Sequence, residues 1–381
     1  MAAPFAICLF ISGGSSMPSK SQQITEDSPR TTRMKNTTRA LFALVLVVSS
    51  ILACAPSAAA GEKKKRCHAG DKAALLALKA ALGNPYLLAS WTSDTSCCDD
   101  WYDVSCDGAT GRVIGISLSQ DDNVTGAIPA AIANLTHLTS LTFHHLPGIT
   151  APIPPAIAKL SGLSMLIISW TGVSGPVPSF LGSLTSLTFL DLSFNSLSGS
   201  IPASLAALPN LSGINLSRNR LSGPIPTGLF SQLLSPDQQQ VYLWLSHNNL
   251  SGTIPTGFDA VRFEHVDVSR NALSGDASVL FGAGKALQYA DLSRNALSFN
   301  LSALELPERQ LVGVDMSHNA IYGGIPPQVA NMAGLQQFNV SYNRLCGQVP
   351  LFAANIAARF DVFSFQHNKC LCGTPLPTPC K

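Results

Sequence analysis

Charge is scarce in this chain. Asp, Glu, Lys and Arg make up 12% of its 381 residues, and the formal net charge is +2. Most of that excess sits at the start: from Cys67 onward there are 15 basic against 19 acidic residues. The body therefore lacks the positive surface that non-specific nucleic-acid binding requires. Long apolar runs are absent as well; nothing after Cys67 reaches 18 consecutive apolar residues, so no membrane span is expected in the mature chain. Cysteine is missing between Cys106 and Cys346. The wording of catalysis is missing too. His144-His145 has neither the companion Glu nor the third ligand of a hydrolytic zinc site. Gly282-Ala-Gly284 stands without the strand and helix of a phosphate loop, and Cys370-Leu-Cys372 has no second thiol or His pair at zinc spacing. No enzyme activity, cofactor or metal is expected.

Leu, Ser, Gly, Asn and Pro are abundant instead, and they recur. A block near 24 residues, Leu-x-x-Leu-x-x-Leu-x-Leu-Ser-x-Asn-x-Leu-Ser-Gly-x-Ile-Pro, returns ten times. Aligning its second tightly alternating apolar position gives Leu118, Phe143, Ile168, Leu192, Leu216, Leu245, Val268, Leu292, Met316 and Val340, with Ser235 to Gln240 inserted before Leu245. Length alone would suggest two or three domains. A period and spelling of this kind predict one leucine-rich-repeat array. The expected fold is an α/β solenoid, a right-handed superhelix of about ten 24-residue repeats with a parallel concave sheet. Such a fold presents an interaction surface and no water-excluding cleft.

One repeat shows why. In Phe189 to Asn195, side-chain alternation sends Leu190 and Leu192 inward and Asp191 and Ser193 outward. Asn195 turns the chain, its amide free to satisfy buried backbone; Asn219, Asn248, Asn271, Asn295, Asn319 and Asn343 hold the same place. Gly199-Ser-Ile-Pro202 closes the unit with a tight bend, a return to the core and a stop. The Ile-Pro ending is lost at Asp276-Ala277 and Phe299-Asn300, so the convex side is expected to change there.

The organisation reads as a targeting region over 1–60, a basic tail over 61–66, an N-terminal cap over 67–111, repeats over 112–345, and the last repeat end with a C-terminal cap over 346–381. Met34 opens a short basic start, Ala40 to Ala55 is apolar, and Ala58 to Ala60 resemble a cleavage site, the pattern of a removed secretory signal beginning at Met34. Cys67, Cys97, Cys98 and Cys106 precede the array, and Cys346, Cys370, Cys372 and Cys380 end it. An even set in a secreted chain implies disulfides, which would hold the caps at about 2–4 kcal/mol each. A cap helix is expected with Asp71 as N-cap, Ala73, Ala74, Leu75, Leu76, Leu78 and Leu82 as its apolar face and Gly83 as its end. Trp91 and Trp101 are expected to be buried against the first repeat.

The Leu-Ser-Gly-x-Ile-Pro wording and the cap spacing, Cys67…Cys97-Cys98…Cys106 and Cys346…Cys370-x-Cys372…Cys380, resemble the polygalacturonase-inhibiting proteins of the plant cell wall. The resemblance covers nearly everything from Cys67 to Lys381. It implies the pairs Cys67–Cys97, Cys98–Cys106, Cys346–Cys370 and Cys372–Cys380. It also implies a monomeric, secreted glycoprotein of the wall or apoplast whose concave face blocks a fungal pectin-degrading glycosidase. Sequons at Asn123, Asn134, Asn210, Asn249 and Asn300 agree with secretion. Two more, Asn215 and Asn339, fall on concave strands where a glycan would obstruct binding.

Two concave columns are candidates for contact. Between the inward residues stand Asp191, Asn215, Trp244, Asp267, Asp291, Asp315 and Asn339, much of it repeat consensus. Two positions beyond stand His145, Trp170, Phe194, Arg218, His247, Arg270, Arg294, His318 and Tyr342. Five consecutive strands would set the Arg and His residues along about 20 Å. Neighbouring charges one strand apart, about 4.8 Å, repel by only about 0.9 kcal/mol in water, so the row is tolerable alone or paired with Asp267, Asp291 and Asp315. Unpaired, it suits an anionic partner: an acidic patch on a glycosidase, or pectin itself. A soluble module for developmental or receptor signalling would use the same sheet. His247 and His318, if near their ordinary pKa of about 6.5, would tighten such binding in an acidic wall and weaken it towards alkaline pH.

Overall fold

The computed structural model describes residues 67–233, 240–353 and 358–380. The targeting region, the basic tail and nearly all of the Ser235 to Gln240 insertion lie outside these residues. Within them, short strands recur once per repeat and form an eleven-stranded sheet. It begins with Val104–Cys106 antiparallel to Val113–Ser119, and continues in parallel through Ser140–Leu146, Met165–Thr171, Phe189–Asp191, Gly213–Asn215, Val241–Trp244, Phe263–Asp267, Tyr289–Asp291, Gly313–Asp315 and Gln337–Asn339. The register pairs equivalent positions: Ile167, Asp191, Asn215, Trp244, Asp267, Asp291, Asp315 and Asn339 stand opposite one another in succession, with one shift between Val241 and Tyr242 against the next strand. A column in the sequence is thus a physical row on the sheet. The inward residues, Leu190 and Leu192 among them, are fully buried in one continuous core.

A second, six-stranded parallel sheet was not foreseen. It is built from the Leu-Ser-Gly stretches Ser174–Pro176, Ser196–Gly199, Arg220–Gly223, Asn249–Thr253, Ala272–Gly275 and Ala296–Leu297. The helical phase of most repeats is a 3₁₀ turn, whereas the residues after Ile225-Pro226 form irregular turns. After the other Ile-Pro endings the 3₁₀ turn runs five residues, as in Ala203–Ala207, with Pro202 holding the preceding backbone extended. Where Pro is lost the turn shortens to Ser278–Leu280 and Leu301–Ala303, and the side chain of Asn300 caps the second through the Ser302 N–H.

The turn asparagines tie each coil to the previous one. Asn271 donates to the carbonyls of Leu245 and Val268 and accepts from the Leu250 N–H, at 3.0, 3.1 and 2.9 Å. Asn219, Asn248, Asn295, Asn319 and Asn343 repeat the arrangement.

The cap helix spans Ala69–Ala81, and here one expectation is corrected. The N-cap is His68, and Asp71 lies inside the first turn. Its carboxylate is drawn away from the helix end onto the Arg112 guanidinium and the Val113 N–H, all at 2.8–2.9 Å, leaving Asp71 1% exposed. Ala74, Leu75, Leu78 and Leu82 face the core while Ala73 faces solvent. Gly83, at φ +80°, carries the chain out of the helix. Trp91 and Trp101 are buried and stacked, ring centroids 5.3 Å apart. Disulfides join Cys67 to Cys97 and Cys98 to Cys106 at this end, and Cys346 to Cys370 and Cys372 to Cys380 at the other.

Candidate binding face

Each repeat carries a residue with left-handed backbone three positions after its middle outward residue. Gln120, His145, Trp170, Phe194, Arg218, His247, Arg270, Arg294, His318 and Tyr342 all have φ between +53 and +59°, and so does His367 in the C-terminal cap. From Phe194 onward the next residue is Asn, and the bend lets it turn its amide under the coil. For a residue other than glycine this backbone costs about 1–2 kcal/mol, yet none of these positions is glycine, so their side chains are kept at a cost to backbone strain.

They form a nearly continuous ladder. His145 meets Trp170 edge-on at 5.8 Å, and Trp170 stacks on Phe194 at 3.7 Å. Arg218 lies 5.0 Å over the Phe194 ring. At the far end His318, Tyr342 and His367 stack at 4.2 Å per step. Between them stand His247, Arg270 and Arg294, with both arginines exposed. Among the described residues no ion pair joins Arg218, Arg270 or Arg294 to Asp267, Asp291 or Asp315. The pairing considered from the sequence is corrected, and the cause is geometric. Each carboxylate spends one oxygen on the N–H two residues on, at Ser269, Ser293 and Ser317, while the left-handed bend carries the cation away.

The same habit explains the middle row. Asp191, Asn215 and Asn339 also close such local turns, so this row's acid and amide content has a structural use. Burial raises the Asp191 carboxyl above its ordinary pKa; burial also raises Asp291, helped by Asp267 and Asp315 on either side. For His247, burial and then Arg218 and Arg270 lower the pKa below the ordinary value, and for His318 burial and then Arg294 do so. Both imidazoles are therefore less protonated than a free histidine at the same pH, which moves the pH response expected from sequence to more acidic pH.

Two features escaped the sequence reading. His367 extends the ladder because Gln366-His367-Asn368 forms a degenerate eleventh turn, with Asn368 bonded like the other turn asparagines. A third outward row, Phe189, Tyr242, His265 and Tyr289, stands at the strand starts. Alternation allows for that row, but only two columns were followed.

Asn123, Asn134, Asn249 and Asn300 are exposed, whereas Asn210 is half-buried and donates to the Thr185 carbonyl. Asn215 and Asn339 lie in concave strands, half-buried. Among the described residues the one cluster at metal-ligand spacing is Cys67, Cys97 and Cys98, whose sulfurs are held in disulfides. No described helix is long and apolar enough to cross a membrane.

Comparison with known proteins agrees with this architecture. Residues 68–107 match the leucine rich repeat N-terminal domain, and 186–208, 210–232 and 241–260 match the leucine rich repeat. A polygalacturonase inhibitor of Pyrus communis is 50% identical over 130 residues, 34% of this chain and 37% of that protein. One from Vitis vinifera is 46% identical over 107 residues, 28% of this chain and 32% of that protein. The match thus spans about a third of these curated relatives. The crystal structure of a plant ice-binding protein superposes with TM-score 0.77 at 44% identity, over 83% of this chain and 99% of that one.

Proposed function

We propose that the chain, a leucine-rich-repeat protein similar to plant polygalacturonase inhibitors over about a third of their length, binds and inhibits a fungal polygalacturonase through its concave face. The observation that carries this reading is the row Arg218, His247, Arg270, Arg294 and His318, with no ion pair to the neighbouring carboxylates and flanked by stacked aromatics. Such a row fits an acidic protein surface, with Trp170, Phe194 and Tyr342 as anchors of the kind that dominate interfaces. In this reading the chain is a binding scaffold and not an enzyme, secreted as a monomer to the apoplast, with pectin as a further anionic contact for the same row.

The test is residual polygalacturonase activity against rising concentrations of the protein, across a panel of fungal enzymes. Arg270→Glu and Arg294→Glu are each expected to weaken inhibition about 30-fold, equivalent to about 2 kcal/mol for a buried interface arginine. A folded parent that inhibits no member of a broad panel, or reversals without effect, would remove the reading. The histidines give a second expectation. With both pKa values lowered, the rise in affinity as the imidazoles gain charge beside an anion should fall at more acidic pH than the ordinary histidine range of about 6.5. A His247→Gln, His318→Gln double variant should lose the acid rise; if it keeps it, the histidines lie outside the interface.

A second reading, ice binding, is favoured by one observation: the likeness to the ice-binding protein extends over 99% of that chain, against 37% for the Pyrus communis inhibitor. Thermal hysteresis of the purified protein decides it.

A further inference from the structure

The outward row at the strand starts runs Phe189, Gly213, Tyr242, His265, Tyr289 and Gly313, each directly opposite the next. Its rings join Trp244 in the adjacent row to make a floor. Tyr242 and Trp244 are nearly parallel at 5.4 Å, Trp244 and His265 follow at 5.4 Å, and His265 and Tyr289 at 5.6 Å. Tyr289 is 42% exposed.

The two glycines explain how the rings lie. Neither has a positive φ, so the backbone would accept any residue there. A Cβ on Gly213 would stand 2.4 Å from Cδ2 of Phe189, and one on Gly313 would stand 3.0 Å from Cδ1 of Tyr289. Each ring therefore lies down over a glycine and turns its face, rather than its edge, to the solvent. A glycine inside a strand often marks such a close approach.

Beside the floor runs a row of acceptors. Asp267, Asp291 and Asp315 use Oδ1 on their own strands. Oδ2 of Asp315 accepts from the Asn339 amide, while among the described residues Oδ2 of Asp267 and of Asp291 accept no hydrogen bond. An open hollow of about 210 Å³ lies among His265, Asp267, Tyr289, Asp291, Asp315 and Gln337. That is smaller than the roughly 300–1,000 Å³ of a drug-sized pocket, so it takes a single ring-sized unit.

We infer that this floor binds a neutral oligosaccharide. The C–H face of a sugar ring lies on Tyr289 and Trp244, meeting the electron-rich faces of the rings. Vicinal hydroxyls donate to the free carboxylate oxygens, and Gln337 supplies both a donor and an acceptor. The ligand is neutral because three carboxylates in register repel a uronate chain. Burial lowers the His265 pKa against the opposing pull of Asp267 and Glu264, which favours the uncharged imidazole in that part of the floor. This site is separate from the Arg and His ladder and does not rest on the inhibitor reading; its test contains no enzyme.

The whole protein is titrated by calorimetry with cellohexaose, xylohexaose and mannohexaose as neutral probes, and with hexagalacturonate as the anionic one. Saturable binding of at least one neutral probe is expected, weakened tenfold or more by Tyr289→Ala. Gly313→Ala should do the same by lifting the Tyr289 ring, with every polar group left in place. Tyr322→Ala, an exposed ring outside the concave sheet, controls for indiscriminate stacking and should change nothing. Because Tyr289 is exposed, its alanine variant should keep the parent's circular dichroism and remain interpretable even if Gly313→Ala does not fold. The inference is overturned if no neutral probe binds the folded parent, if Tyr289→Ala binds as well as the parent, or if hexagalacturonate alone binds in a Tyr289-dependent way.

Discussion

Replacing Asn295 with alanine is expected to cost about 3 kcal/mol or more, although this side chain contacts no partner. Its Nδ2 donates to the carbonyls of Val268, Leu292 and Ser293 at 3.0, 3.1 and 3.2 Å, and its Oδ1 accepts from the Leu273 N–H at 3.0 Å. Those groups belong to two neighbouring coils and face away from water. Each buried group left without a partner costs about 1–3 kcal/mol, and alanine strands at least two. Asn295→Asp is no remedy, since a carboxylate offers no donor to the carbonyls. The exposed Asn249, whose side chain makes no hydrogen bond among the described residues, is the control; Asn249→Ala should stay within about 0.5 kcal/mol. Urea unfolding checks both. The expected signature is a lower midpoint at unchanged slope, and a loss below about 1 kcal/mol at Asn295 would mean the amide ladder is dispensable. In a solenoid each coil is held only by its neighbours, so a break in the middle removes support from both sides.

The parts legible in the sequence are those that repeat. Leu190 and Leu192 recur in every coil because the core recurs, so the period reveals the parallel sheet and its register together. The turn asparagines are legible for the same reason. What stayed hidden depends on relations between coils or on backbone angles. The left-handed φ at Arg270 leaves no mark, because the same Ser-x-Asn spelling accepts Phe, His, Arg or Tyr at that place. The missing ion pair between Arg270 and Asp267 follows from that bend and could not be read from their spacing of three. Phe189 over Gly213 and Tyr289 over Gly313 are cross-strand pairs some 24 residues apart, visible only once register is known. The second sheet was hidden by its spelling: Leu-Ser-Gly reads as a turn, and becomes a strand only when a neighbouring copy offers its edge. Asp71 was misread because Arg112, the group that claims it, is 41 residues away.

Asp71→Ala is the other large effect expected, and it carries a pH signature. Asp71 is 1% exposed and Arg112 18%, so removing the acid leaves a largely desolvated guanidinium unpaired. Breaking a buried pair from one side costs about 3–5 kcal/mol, and here the Val113 N–H loses its acceptor as well. Burial by itself would raise the Asp71 pKa, but the Arg112 hydrogen bonds, the Val113 N–H and the Arg112 charge together outweigh it, and the net shift is downward. A carboxyl lowered in the folded state contributes stability that is fully present above its unfolded value of about 3.9 and is lost as pH falls through the folded value. The parent should therefore exceed Asp71→Ala by its full margin at about pH 7, with the gap narrowing as pH falls below about 4. Denaturation at the two pH values measures this, and a gap that does not narrow would show that the charge is not what holds the cap. The loss should appear first at the end of the array. The Cys67–Cys97 bond keeps the segment tethered, so helix Ala69–Ala81 should lose amide-exchange protection while strands such as Tyr289–Asp291 keep theirs. Uniform loss along the chain would instead mean that the cap and the array unfold as one unit.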